Sequence, residues 1–330
     1  MAGFDPSLLN NVTRDYFDSA MRNQIYQTTL LLNYIQAESN VKDAAGPAVE
    51  WTETVRRHHS TGVTGGYAVM ANQPKNPTEK LELAPAKYYA AMAISNDELR
   101  FNAGPADLVK LIDILGVQVE NAYNTQHEDV GIGVYGDGTP IDGFQTIFGL
   151  EAAISADNSY AGVDRSDAAN SWWRSYVDST SHTLANLENP DHASYLPDIM
   201  TKAWINSRLT KTPDLIITTP TIYTLYESIA RPQIRSTNEV GDVGFGDLEF
   251  KSGVRVRFDD FCPDHKMYFL NLVDWEWYVY PGMNFQMSPE GWQSALVNGQ
   301  DAQTAYMFFQ GQLICRHPRG QGKLNSVGAS

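Results

Sequence analysis

Cysteine is nearly missing: Cys262 and Cys315 are the two in 330 residues. Two cannot build a disulfide framework, and no CxxC pair offers a zinc site. Such scarcity fits a reducing compartment. An excess of cations is missing too. Lys and Arg number 24 against 39 Asp and Glu, a formal net charge of −15. A chain this acidic repels phosphate, which argues against a nucleic-acid grip as its main task. No run of about 18 apolar residues occurs, so no membrane-spanning helix is expected. The opening MAGFDPSLLNNVTRDYF lacks the basic stretch and apolar run of a signal peptide. The sequon at Asn11-Val12-Thr13 therefore reads as incidental.

Catalytic signatures are missing as well. No GxxxxGK[ST] loop, no GxGxxG opening a helix and no GxSxG elbow occurs. His127-Glu128 has no second histidine four residues on, so it is no HExxH zinc helix. The five glycines of 131-GIGVYGDGTPIDG-143 follow a predicted helix rather than open one, and read as its exit. No cofactor is expected.

What is present can build a core: 42% hydrophobic and 11% aromatic residues over a length suited to about two domains. Residues 6–36 read as a helix, with Pro6 in the first turn and a rough stripe of Leu8, Leu9, Val12, Tyr16 and Ala20. Its Asn, Gln and Thr content predicts that it lies on other chains. Residues 49–69 and 80–101 both alternate like strands, separated by the proline-bearing 71-ANQPKNPTEK-80. They predict a long hairpin. A lone hairpin is marginal in water, so it is expected to rest on a neighbour or on its own body. Residues 105–130 give the clearest helix, with Leu108, Leu111, Ile112, Leu115, Val119 and Ala122 on one face. Beyond it, 195–209 and 221–230 read as helices. Residues 214–220, 254–261, 267–272, 274–280 and 304–318 read as strands.

Three clusters invite a chemical reading. In 258-FDDFCPDHKMYFLN-271, Asp259, Asp260, Asp264 and His265 are metal ligands or acid–base groups by type. Aspartates in a proline-containing turn also satisfy local backbone donors without any ligand, and this reading is preferred. Arg56, Arg57, His58 and His59 form a basic patch that suits an intersubunit face better than a nucleic-acid clamp in so acidic a chain. Trp172-Trp173 suit an interface anchor. In 274-DWEWYVY-280, alternation puts Trp275, Trp277 and Val279 on one face and Glu276, Tyr278 and Tyr280 on the other.

The order of elements resembles a known family. An N-terminal arm, a long hairpin, a helix beginning 105-PADLVKLIDILG and a mixed α/β body are similar to the major capsid proteins of tailed bacteriophages. Three local stretches resemble them too: 162-GVDRSDAANSWWRS-175, 213-PDLIITTPTIYTLYESIARPQIR-235 and 248-LEFKSGVRVRFDDFCPDHKMYFLNLVDWEWYV-279. The resemblance implies an α+β fold of the Hong Kong 97 type. It implies an arm over 1–46 and an extended loop over 47–103. A peripheral domain would take 104–140, with the long spine helix, and 286–330. An axial domain would take 141–285. It further implies a non-enzymatic subunit that forms hexamers and pentamers of an icosahedral shell around double-stranded DNA. That shell would be a virion capsid assembled in the bacterial cytoplasm. Partners would be other copies, a separate scaffolding protein, a portal protein and a decoration protein, with DNA touched only loosely and no membrane. Arg56, Arg57, Lys75, Lys80, Trp172 and Trp173 would be assembly contacts. Two rivals stand beside this reading. One is a metal-dependent hydrolase using Asp259, Asp260 and Asp264; the other is a tail or decoration component.

Overall fold

The computed structural model describes residues 30–37, 40–55, 65–66, 77–102, 108–208, 212–234, 249–251 and 253–329. The expected arm helix lies outside these residues except for its end, α1 (Leu30–Ala37). That end does not wait for another chain. Leu31 and Ile35 are fully buried in the subunit's own core, and the Tyr34 hydroxyl accepts a hydrogen bond from Arg257 Nε at 3.1 Å.

After β1 (Val41–Asp43), strand β2 (Val49–Thr54) pairs antiparallel with β3 (Thr78–Leu83), Trp51 opposite Leu81. This is the expected hairpin, but shorter. Val49, Trp51, Leu81 and Leu83 are buried, so its root packs on its own body. At Ala84-Pro85 the chain leaves the hairpin. Strand β4 (Ala86–Ser95) instead pairs with the last long strand, from Ala86↔Gly311 to Ser95↔Ala302. The reading of 80–101 as one hairpin arm is corrected here. Alternation has the same period whichever partner a strand takes, and Asn96–Asn102 is already helix, α2.

Helix α3 (Leu108–Val134) turns Val119, Tyr123, Gln126, His127, Val130 and Val134 inward, a spacing of about two helical turns per seven residues. It runs past the expected stop, because Gly131 and Gly133 lie within it. A Cβ at Gly133 would come within 2.9 Å of the Tyr88 hydroxyl. These glycines let the helix press against β4 and do not release the chain.

Next come α4 (Leu150–Ala153), β5 (Tyr176–Asp178), α5 (Leu184–Glu188), α6 (Leu196–Asn206), β6 (Leu215–Thr218) and α7 (Pro220–Ile234). Helix α6 buries Leu196, Ile199, Met200 and Ala203, and α7 buries Ile222, Leu225 and Tyr226. Both are i, i+3, i+4 stripes against a sheet. The rest is mostly strand: β7 (Glu249–Phe250), β8 (Val254–Phe258), β9 (Met267–Leu270), β10 (Trp275–Val279), β11 (Gln286–Met287), β12 (Gln293–Ser294), β13 (Ala302–Cys315) and β14 (Gly322–Leu324).

Two six-stranded sheets result. One is built on β13, which takes β10, β4, β11 and β12, with β1 beyond β10. The other runs β5-β14-β9-β6-β8-β7. The boundary expected at 285/286 thus falls between strands of the first sheet. The second sheet parts two cores. Ile216, Val256, Met267, Phe269 and Leu324 face the one under α6 and α7. Leu215, Ile217, Tyr268 and Leu270 face the other. With both faces covered, β6 and β9 read as unbroken apolar runs. The two cysteines are free and buried.

Candidate assembly surfaces

The acidic turn that drew attention in the sequence is not a hairpin. β6 lies between β8 and β9, so residues 259–266 cross the end of β6. Asp259 Oδ2 accepts from the buried Tyr135 hydroxyl at 2.9 Å and its Oδ1 from the Phe261 amide at 3.0 Å. Asp260 and Asp264 face solvent. His265 has φ 61° and Nδ1 3.1 Å from the Val327 carbonyl, which pins the C-terminal segment. Burial, with Asp259 adding to it, pushes the Cys262 thiol up, so it stays protonated at neutral pH. Among the described residues no three His, Cys, Asp or Glu side chains converge as a metal site.

Behind this turn lies a buried ionic knot. Glu151, on α4, accepts from the Tyr268 hydroxyl and pairs with Lys266 at 2.9 Å and Lys323 at 2.8 Å. Burial alone would raise its carboxyl, but the two ammonium groups and the hydroxyl outweigh burial and hold it below the usual range. Nearby Arg165 is fully buried without a carboxylate. It donates to the carbonyls of Ala152, Ala153 and Ser155 at 3.3, 2.8 and 3.0 Å. Those carbonyls belong to the last turn of α4 and its exit, where a cation is favoured. Burial brings its pKa down to about 10.

A second ionic cluster ties three segments together at the far end of the hairpin root. Glu276 on β10 holds Lys42 of β1 and Arg316 Nε at 2.7 Å. Arg316 Nη1 reaches Glu53 of β2 at 3.5 Å, and His317 stands between Glu53 at 3.9 Å and Asp274 at 3.0 Å. These partners close over the second face of β10, which is why Glu276 is buried as well as Trp275 and Trp277. The Asp274 hydrogen bond, with help from the charges of Asp274 and Glu53, raises the His317 pKa against burial and Arg316.

No protein-family model and no curated protein sequence matches this chain. Solved structures do. The capsid asymmetric unit of cyanophage A-1(L) is similar over 91% of this chain and 93% of its own, with TM-score 0.66 and 17% identity. The capsid of Myoviridae phage XM1 follows at TM-score 0.59 and 11% identity, covering 89% and 92%. The procapsid of satellite phage P4, solved with its size determination protein, matches at TM-score 0.53 and 12% identity, covering 94% and 90%. The chain has the Hong Kong 97-type capsid fold.

Within that capsid fold the expected contact residues fare differently. Arg56, Arg57 and Lys75 lie outside the described residues. Lys80 stands on β3 and pairs with Glu50 across the hairpin at 2.8 Å, both exposed, an arrangement worth little to stability. Trp172 and Trp173 are neighbours with ring centroids 5.0 Å apart. Trp173 is 2% exposed and its indole donates to the Tyr160 carbonyl at 3.1 Å. It therefore anchors its own subunit and not an interface, while Trp172 is half-buried against the same core.

The sequence reading passed over an apolar surface of this capsid fold. Ile141 and Phe144 bracket a tight turn, bridged to each other, with Asp142 at φ 52° and Gly143 at φ 82°. The Asp-Gly pair was the available signal, since two positive φ angles make the primed hairpin turn. Taking the glycines as a flexible exit hid it. The turn forms one wall of a groove of about 910 Å³, whose other walls are β4 and the end of α3.

Proposed function

We propose that this chain is the repeating subunit of an icosahedral phage capsid, assembling into hexamers and pentamers around double-stranded DNA. The observation that carries the reading is the shared fold over nearly the whole length of a solved capsid subunit. The absence of a converging ligand set among the described residues is consistent with a structural role, and no catalytic step is assigned. The second sheet with α6 and α7 would form the axial domain, and β13 with its partners and α3 the peripheral domain. The hairpin would reach a neighbour, so that many modest contacts close the shell together. Arg56, Arg57 and Lys75, on its distal segment, remain candidate contacts. The net charge of −15 would keep packaged DNA from adhering to the wall. A scaffolding protein, a portal and a decoration protein belong to the same reading, as does assembly in the bacterial cytoplasm. The P4 procapsid, with its size determination protein, gives one instance of an accessory factor in such a shell.

The test is negative-stain electron microscopy of the purified protein, produced with and without its neighbouring genes. Round shells, or rings of five or six subunits, are expected. A homogeneous small species under every condition overturns the reading, and tubes point to a tail component. A variant with residues 56–76 replaced by a short glycine turn keeps β2 and β3 paired. It is expected to fold and to form no shells.

A further inference from the structure

Four large apolar side chains that this subunit leaves in water gather on one groove. Tyr89 is 69% exposed, Ile132 57%, Ile141 66% and Phe144 76%, and all four line it. They come from three elements: β4, the end of α3 and the 141–144 turn. The groove floor continues onto the outer face of the β4–β13 pair, where Phe308 lies opposite Tyr89 and stacks on the exposed Tyr306. A contiguous apolar surface of this kind on a lone subunit marks a docking site. Its rim is acidic. Asp129, Asp137 and Asp142 line it against a single ammonium, Lys87, which lies 4.9 Å over the Phe308 ring.

The fitting occupant is therefore both basic and apolar. The 23 residues 55–77 are of that kind. In a chain of net charge −15 they hold Arg56, Arg57 and Lys75 and no Asp or Glu, with Val63, Tyr67, Val69 and Met70 among them. A subunit's own segment is led away from its own groove. Leu83, next to the groove-lining Pro85, pairs with Val49, whereas the segment departs from the opposite end of the ladder, at Thr54 and Thr78. Five residue steps put that end about 17 Å farther off. There the Glu53 contacts with Arg316 and His317 hold the root down.

We propose that this groove receives residues 55–77 of a second copy, with Tyr67, Val69 and Met70 against Phe144 and Ile141 and the arginines on the aspartate rim. The proposal rests on the capsid reading and names the landing place of the hairpin within it. Burial and Glu128 raise the Asp129 carboxyl, so an incoming guanidinium gains there by restoring a counter-charge.

The experiment is disulfide trapping. Cys262 and Cys315 are buried, so introduced thiols report alone. Phe144→Cys is combined in turn with Tyr67→Cys, Val69→Cys and Met70→Cys, and shells are assembled under reductant, then mildly oxidised. At least one pair is expected to give a covalent ladder rising in steps of one 36.7 kDa subunit, lost in each single-cysteine variant. Ile141→Cys takes the place of Phe144→Cys if the latter stops assembly. Shells that stay monomeric on denaturing gels with every pair overturn the groove as the landing place and leave the capsid reading standing. Failure of the unaltered chain to form shells or rings overturns both.

Discussion

Removing the Glu151 carboxylate is expected to cost far more than removing either of its lysines. Glu151 is the shared anion of a knot in which Lys323 is 7% exposed and Lys266 27%. Glu151→Gln leaves the Lys323 ammonium buried with no carboxylate within reach. Stranding one partner of a buried pair costs about 3–5 kcal/mol. The Glu151 side chain is itself 19% exposed, so the lower end, about 3 kcal/mol, applies, or roughly a hundredfold in the unfolding equilibrium. Lys323→Met leaves the carboxylate with Lys266 and the Tyr268 hydroxyl, and about 1 kcal/mol is expected. In the double variant the amide has no buried cation to abandon, so the two costs do not add, and the coupling is about 2 kcal/mol. Urea unfolding of dissociated subunits, followed by tryptophan fluorescence, reads all four species. The pH dependence has a definite sign. Because the folded Glu151 pKa lies below its ordinary value, the stabilisation is complete above the unfolded value, near 4.5, and fades as pH falls through the folded one. If Glu151→Gln costs less than about 1 kcal/mol, or Lys323→Met costs as much as Glu151→Gln, the reasoning is wrong.

Three further outcomes are expected. Arg165→Met takes donors from three backbone carbonyls and should lower stability by about 3 kcal/mol, with Arg165→Lys recovering part of it; an unchanged urea midpoint would contradict this. His317→Gln should lower the melting temperature most below pH 6.5. The folded His317 pKa is raised, so its contribution is complete below the unfolded value and disappears as pH rises through the folded one; a gap that widens toward pH 9 would refute it. Gly149→Ala would place its Cβ 2.1 Å from the Val134 carbonyl oxygen. It should cost about 2 kcal/mol or more through the backbone shift it forces, read as a loss of soluble protein or a lower urea midpoint.

Much of the fold was legible because periodicity reports burial. The α6 and α7 stripes, the β6 run and the β9 run stand where the sequence put them, each with a covered face that selects apolar residues. Pairing was less legible. That β4 leaves the hairpin for β13, more than 200 residues away, and that β6 slips between β8 and β9, are non-local facts with no local spelling. The glycines of α3 misled for a physical reason: glycine marks a chain exit or a close approach, and only the neighbouring Tyr88 decides which. The contact residues read from charge and aromatic pairs fared worst. Trp173 shows why: an aromatic that suits an interface also suits a core. Polar clusters such as Glu53–Arg316–His317–Asp274 join residues far apart in the chain, and no single stretch displays them.

The wall between the two cores has a mechanical consequence. β6 and β9 send alternate side chains into opposite cores, so neither core can melt without stripping one face of the strands that the other packs on. Heating a free subunit should then show a single calorimetric peak whose van't Hoff and measured enthalpies agree, even though the chain is long enough for two domains. Strain from a swelling or contracting shell would accordingly have to be absorbed outside that wall, in the hairpin and its ionic root, and the body would travel as one rigid tile.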